Sequence, residues 1–185
     1  MKPVWIVLLC LLGAAVLDVA PLKGRKMLNL DSEVEGIFTV SCAGGNTSTC
    51  ALPVSRAPFD GTALTIRVEG LTGGHSGAEI HKGRANANMT LGRVLQAAAK
   101  CSTLRIQSVD GGLKDNAIPV ASKACVVAAD AAAVKAAAAE METALKNEFR
   151  VTDPNLTVMV EDGCTDVVPM DASSTEKVIC MLTCL

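Results

Sequence analysis

Aromatic side chains are nearly absent from this sequence. Its 185 residues include three Phe, one Trp and no Tyr. Proteins that bind nucleic acid use a basic surface, and many add aromatic rings on which bases stack. In this chain 17 Lys and Arg are balanced by 19 Asp and Glu, which gives a net charge of −2. We therefore predict no nucleic-acid partner and a core made of small aliphatic side chains.

Histidine is also scarce, and the cysteines lack the spacing of a metal-binding motif. Only two histidines occur, and none of the eight cysteines forms a CxxC pair, so the sequence lacks the pattern of a structural zinc site. Several cysteines lie in apolar runs, as Cys125 does within 124–129, where a reduced cysteine packs as a small hydrophobic residue. We predict free thiols in a reducing compartment.

The first twenty residues admit three interpretations. Lys2 followed by the apolar run 4–12 and small residues is typical of a secretory signal peptide. A membrane span is disfavoured, because Asp18 interrupts a run that is at or below the roughly 20 residues a bilayer requires, so we predict no membrane partner. The third hypothesis is an out-of-frame translation joined to the true reading frame near Leu17. Residues 1–16 are therefore a doubtful N-terminus.

Apolar periodicity alternates between strand and helix spacing after residue 60. Strands are predicted at 62–69, 104–109, 124–129 and 156–161, and helices at 88–100 and 131–149. Asn86 or Asn88 is the expected cap of the first helix and Asp130 that of the second. This order is the split βαβ pattern of an α+β fold, an antiparallel sheet with helices on one face. A last helix, capped by Ser173 or Ser174, is expected to leave its apolar face uncovered.

Two shorter strands are predicted earlier in the chain, at 27–30 and 36–42. Asp31 follows the first of them, at the edge where open α/β sheets place their ligands. A carboxylate in that position suits a divalent cation. From the local pattern alone, an aspartate that caps a turn explains Asp31 as well.

Four local strings stand in a characteristic order. They are NLDSEVEG at 29–36, CAGG at 42–45, GGHSGAEIHKGRANAN at 73–88 and DNAIP at 115–119. In this order and at these separations they resemble the aminoacylhistidine dipeptidases, the carnosinase-like branch of the dinuclear zinc peptidases. The resemblance covers 17–185 nearly continuously. It implies that 17–50 is a remnant of an α/β catalytic domain and that 51–185 is the lid or dimerisation domain, truncated at its C-terminus.

The resemblance also implies roles for individual residues. Asp31 would bind one of two zinc ions. His75, which stands in a glycine-rich turn, would stabilise the oxyanion of the tetrahedral intermediate or the carboxylate of the substrate. Asn116 would contact the substrate through its amide. The simpler interpretations are a solvated loop histidine for His75 and a turn asparagine for Asn116.

Hydrolysis at a two-metal site needs more than these residues. It requires a bridging carboxylate, further metal ligands and a glutamate base, which in the resembling family lie outside the matched strings. We therefore predict a fragment of a cytoplasmic metallodipeptidase, an enzyme that hydrolyses Xaa-His dipeptides with zinc-activated water. The fragment is expected to be inactive alone and to form a homodimer. The alternative is a non-catalytic α+β binding or dimerisation module that retains the lid fold, secreted if residues 1–20 are a true signal peptide.

Overall fold

The computed structural model describes residues 48–184 together with a few earlier positions, namely Asp18, Ala20, Pro21, Lys23, Gly24 and 35–37. The chain divides after Thr49 into two compact units, and the described strands and helices all belong to the second, Cys50–Leu185. The strands predicted at 27–30 and 36–42, and Asp31 between them, lie wholly or mainly outside the described residues.

The strands and helices of the described residues lie between Thr62 and Cys184. The strands are β1 (Thr62–Glu69), β2 (Gly74–His75), β3 (Leu104–Gly111), β4 (Ala117–Ile118), β5 (Ser122–Ala128) and β6 (Thr157–Asp162). The α-helices are α1 (Ala87–Cys101), α2 (Ala131–Glu148) and α3 (Ala172–Cys184). An antiparallel sheet has the order β3-β5-β1-β6, and β2 pairs with β4 in a separate two-stranded sheet. The predicted α+β fold is confirmed.

The core lies between the larger sheet and its helices. In β1, Leu64, Ile66 and Val68 are completely buried and the residues between them are more exposed or face the other side, as the alternation predicted. Helix α1 contributes Leu91 and Leu95, which are also completely buried. The core therefore consists mainly of aliphatic side chains, as the near absence of aromatic residues required.

The caps of the first two helices follow from the local sequence. The Asn86 side chain accepts hydrogen bonds from the backbone N–H groups of Asn88 and Met89, at 3.0 and 3.3 Å, so Asn86 rather than Asn88 caps α1. Asp130 accepts one from the N–H of Ala133 at 3.0 Å and caps α2 as predicted. Both interactions satisfy donors that the first turn of a helix leaves free.

Helix α3 differs from the prediction in two respects. Its first turn is capped by Asp171, whose Oδ1 accepts the N–H of Ser174 at 2.7 Å. This hydrogen bond holds the pKa of Asp171 below its ordinary value. The apolar face that was expected to be uncovered packs against the core, where Ile179 is only 7 % exposed. Gly92 of α1 permits this approach, because a Cβ there would lie 2.7 Å from the Cβ of Leu182.

None of the helices in the described part of the chain is both long and apolar enough to cross a bilayer.

The prediction of free thiols was wrong for one pair. Cys125 in β5 and Cys164, just beyond β6, form a disulfide with their Cα atoms 5.7 Å apart. Cys125 lies on the sheet face opposite the helices, because its neighbours Ala124 and Val126 point into the core. The two cysteines are 39 positions apart, so only the pairing of the strands brings them together. Four other cysteines among the described residues are exposed free thiols: Cys50, Cys101, Cys180 and Cys184.

Candidate functional site

The two-stranded sheet brings two of the predicted site residues together. Strand β2 pairs with β4 so that His75 lies opposite Ala117, and the backbone N–H of Ser76 donates to the carbonyl oxygen of Asn116 at 3.0 Å. The side chains of His75 and Asn116 are both exposed. The structure therefore places these residues side by side where β2 pairs with β4. Asp31, the predicted metal ligand, is outside the described residues.

Glycines shape the turn that carries His75. Gly73 and Gly74 have φ angles of +65° and +142°, a region that residues with a Cβ rarely occupy. After them the His75 ring bends back over its own turn, and Nδ1 accepts the backbone N–H groups of Gly77 and Ala78, each at 3.1 Å. The ring is therefore held by two hydrogen bonds, which a freely solvated loop histidine would not have.

Glu79 is a member of this turn that the sequence reasoning did not single out. Its Oε2 accepts the backbone N–H of His75 at 3.0 Å, and its Oε1 pairs with the Lys82 ammonium and lies 3.5 Å from the Arg84 guanidinium. The hydrogen bond from Lys82, followed by that from His75, lowers the pKa of Glu79 from 4.5 to about 2. The GAEIHKGR string contained these charges, but their spacing alone does not show that they converge.

The acid titration of Glu79 gives a direct check on these contacts. Because the folded-state pKa is below the ordinary 4.5, the contacts contribute fully to stability above that pH and are lost as the pH falls towards about 2. We expect the 13C signal of the Glu79 carboxyl group to titrate near pH 2. Replacement of Lys82 by glutamine should raise that midpoint, whereas replacement of Lys135, which pairs with Asp162 instead, should not. A wild-type midpoint near 4.5 would show that the contacts do not form in solution.

Asp153 anchors both ends of the same segment. Its side chain is 1 % exposed, and its two carboxylate oxygens accept the backbone N–H groups of Thr72 and Ala85, each at 2.8 Å. The hydroxyl of Thr72 adds a bond of 2.7 Å to the carbonyl of Thr152. The sequence offered no signal for this role, because Asp153 is more than sixty positions away from both partners.

A cavity of about 860 Å³ adjoins the two segments that β2 and β4 bring together. Ser76 and Asp115, the chain neighbours of the two predicted site residues, both border it, as do Arg84 and Asn88. The Oδ1 atom of Asn88 is buried without a hydrogen-bond partner among the described residues. A volume of this size is in the range of small-molecule sites.

The described residues do not assemble a metal site. Among residues 48–184 and the few earlier described positions, no three His, Cys, Asp or Glu side chains lie close enough together to hold an ion. His75 makes its Nδ1 contacts with backbone N–H groups rather than with acidic or sulfur groups. The assignment of Asp31 as a zinc ligand therefore stays a prediction.

Comparison with known proteins gives concordant similarities. Residues 66–153 match the peptidase dimerisation domain family. Over 176 residues the chain is 38 % identical to the cytosol non-specific dipeptidase of Escherichia coli (strain K12), with 92 % of this chain and 36 % of that protein covered. The fold matches the crystal structure of aminoacylhistidine dipeptidase from Vibrio alginolyticus with a TM-score of 0.67 and 28 % identity, over 72 % of this chain and 28 % of that one. The chain thus spans about a third of the length of the curated relative.

The α+β domain of this chain is thus similar to the peptidase dimerisation domain family over residues 66–153, somewhat less than half of the chain. Within the peptidases, the resemblance to the aminoacylhistidine dipeptidases that the four sequence strings indicated is confirmed by the sequence and structural matches.

Proposed function

We propose that this chain supplies the lid of a metal-dependent dipeptidase that cleaves Xaa-His dipeptides. In this proposal His75 donates a hydrogen bond to the oxyanion or to the carboxylate of the substrate, and Asn116 contacts the substrate through its amide. The observation that carries the proposal is the pairing of β2 with β4, which sets these two exposed residues side by side, while their chain neighbours Ser76 and Asp115 border a cavity of about 860 Å³. The preference for a C-terminal histidine rests on the resemblance.

Asp31 is the residue of this chain that would bind zinc in the proposed enzyme. A bound divalent ion would lower the pKa of a water molecule and so supply the nucleophile. Both histidines of the sequence, His75 and His81, lie in the lid, so the further histidine ligands of such a site would come from outside these 185 residues. We therefore propose that the isolated chain does not hydrolyse dipeptides.

A chimeric enzyme tests the proposal. Residues 48–184 would replace the matching segment of the Escherichia coli dipeptidase, and hydrolysis of Ala-His would be compared with that of Ala-Ala. We expect the chimera to be active with zinc and to prefer Ala-His, and replacement of His75 by alanine to reduce kcat by about 10²–10³-fold, the usual effect of removing an oxyanion donor. Asn116→Ala should chiefly raise KM.

His81 provides the matched control for this experiment. It lies six residues further along the same segment, in the short 3-10 helix Ile80–Lys82, and is also exposed. We expect His81→Ala to leave kcat within twofold. If His75→Ala is as active as the parent chimera, the catalytic role of His75 is refuted. The purified 185-residue chain, assayed with the same dipeptides and zinc, should show no turnover.

A non-catalytic dimerisation module is the second candidate. The family that residues 66–153 match is described as a peptidase dimerisation domain, and β6 is an outer strand of the larger sheet. On this alternative the chain forms a homodimer and has no dipeptide substrate. A chimera that folds and dimerises but hydrolyses neither dipeptide would favour it, and sedimentation analysis of the chain alone gives its association state.

We propose a cytoplasmic location, because the relative to which 92 % of this chain aligns is named a cytosol dipeptidase. The disulfide between Cys125 and Cys164 favours the secreted alternative, since disulfides persist mainly in oxidising compartments. The intact mass of the cellular product distinguishes the two locations. Loss of about twenty N-terminal residues would support export.

A further inference from the structure

A network of charged side chains encloses the His75 turn. Glu79 contacts the turn twice: its carboxylate accepts the His75 N–H, and its own N–H donates to the His75 carbonyl oxygen at 3.1 Å. The guanidinium of Arg84 pairs with Glu79 and also donates to the carbonyl oxygen of Gly73. The backbone on both sides of the imidazole is therefore tied to one ion pair, and the Arg84 side chain is only 19 % exposed.

Gly74 shows how closely this ion pair packs against the backbone. A Cβ at Gly74 would lie 2.5 Å from both the Arg84 guanidinium and the Glu79 carboxylate. Any side chain there would displace the charged groups or the turn. The glycine before His75 thus leaves room for the ion pair, in addition to adopting a φ angle of +142°.

The bonds to the ring determine which imidazole nitrogen carries the proton. Nδ1 of His75 accepts two backbone N–H groups, from Gly77 and Ala78, so in the neutral ring it has no proton of its own. The proton is then on Nε2, and the exposed edge of the ring presents an N–H donor. Such a donor suits an oxygen ligand with negative charge, whether a carboxylate or a tetrahedral oxyanion.

We propose that Glu79, together with Arg84, is a positioning residue that holds His75 in the Nε2–H tautomer and thereby makes it a hydrogen-bond donor toward an anionic oxygen. Glu79 acts through the backbone on either side of the ring and does not itself touch the ligand. The use of this donor in catalysis rests on the proposed dipeptidase function. The tautomer and its dependence on Glu79 do not.

The presence of only two histidines makes the tautomer directly measurable. Long-range 1H–15N NMR spectra of the full chain should show two imidazole ring systems, and the His81→Gln variant assigns them. At a pH where the rings are neutral, we expect His75 to be mainly the Nε2–H form. In Glu79→Ala the ratio of Nε2–H to Nδ1–H at His75 should fall about tenfold, because loss of the carboxylate loosens the turn whose backbone N–H groups bind Nδ1. The spectrum of His81 should not change.

Two further variants separate positioning from a general loss of structure. Glu79→Gln keeps an acceptor for the His75 N–H but removes the ion pairs with Lys82 and Arg84, so its tautomer ratio should be intermediate. If Glu79→Ala unfolds the chain, as seen in the dispersion of the backbone amide signals, Arg84→Gln weakens the same contact from the other side and gives the same readout. The proposal is overturned if wild-type His75 is the Nδ1–H form or if the ratio is unchanged in folded variants. Because no substrate is present, failure of the dipeptidase proposal would leave this result standing.

Discussion

The double replacement Cys125→Ala and Cys164→Ser is expected to lower the free energy of unfolding by about 2–4 kcal/mol under non-reducing conditions. The disulfide closes a loop spanning 39 positions, and its loss releases conformational entropy to the unfolded chain. Urea unfolding followed by circular dichroism measures the change. Dithiothreitol should destabilise the wild-type chain by a similar amount and leave the double variant unaffected.

Cys101 provides a control for this experiment because its thiol is free and exposed. We expect Cys101→Ser to change stability by no more than about 0.5 kcal/mol, as surface substitutions usually do. Reduction of the unfolded wild-type chain should release two more titratable thiols than reduction of the double variant does. Equal counts before and after reduction, together with no effect of dithiothreitol on unfolding, would contradict the disulfide. They would also remove the structural argument for the secreted alternative.

Replacement of Asp153 by alanine is expected to destabilise the domain by about 2–4 kcal/mol, the typical range when buried hydrogen-bond donors lose a charged acceptor. The change removes the acceptor of the backbone N–H groups of Thr72 and Ala85, an acceptor whose side chain is 1 % exposed. Thermal or urea unfolding measures the loss. Amide hydrogen exchange should accelerate at Thr72 and Ala85 before it does so in β1.

Asp153→Asn refines this prediction. The asparagine oxygen can still accept one N–H, but its amide group then faces the other donor, so the loss should be smaller than in Asp153→Ala yet clearly measurable. Asp166→Ala is the matched control, because Asp166 is exposed. If the free energies of unfolding of the Asp153→Ala and Asp166→Ala variants differ by less than about 0.5 kcal/mol, the proposed anchoring by Asp153 is refuted.

Much of the fold could be predicted because its determinants are local. The alternation in 62–69 identified β1, and the position of Asp130 before an alanine-rich run identified the start of α2. The cap of α3 was misassigned because Asp171 and the serines that follow it are all good capping residues. Only the backbone geometry shows that the Asp171 carboxylate accepts the hydrogen bond.

The candidate site was only partly accessible to sequence reasoning. His75 and Asn116 were identified from the strings GGHSG and DNAIP, and the structure sets them side by side through β2 and β4. Glu79 was visible as a charge but not as a contact of His75. Asp153 was missed altogether, since a lone aspartate after a helix resembles any solvated acid until its burial is known.

By itself the sequence determined the order of the α-helices and of the four strands of the larger sheet, the cap of α2, and the resemblance to the dipeptidases, because each depends on residues close together along the chain. Only the tertiary structure decided the disulfide, the burial of α3, the anchoring of the His75 turn by Asp153, and the nitrogen at which His75 presents its proton. The disulfide, the α3 packing and the Asp153 anchor join groups 39 or more positions apart, which only the folded sheet and its helices bring within bonding distance. The His75 proton depends on backbone geometry within the turn, which spacing does not reveal.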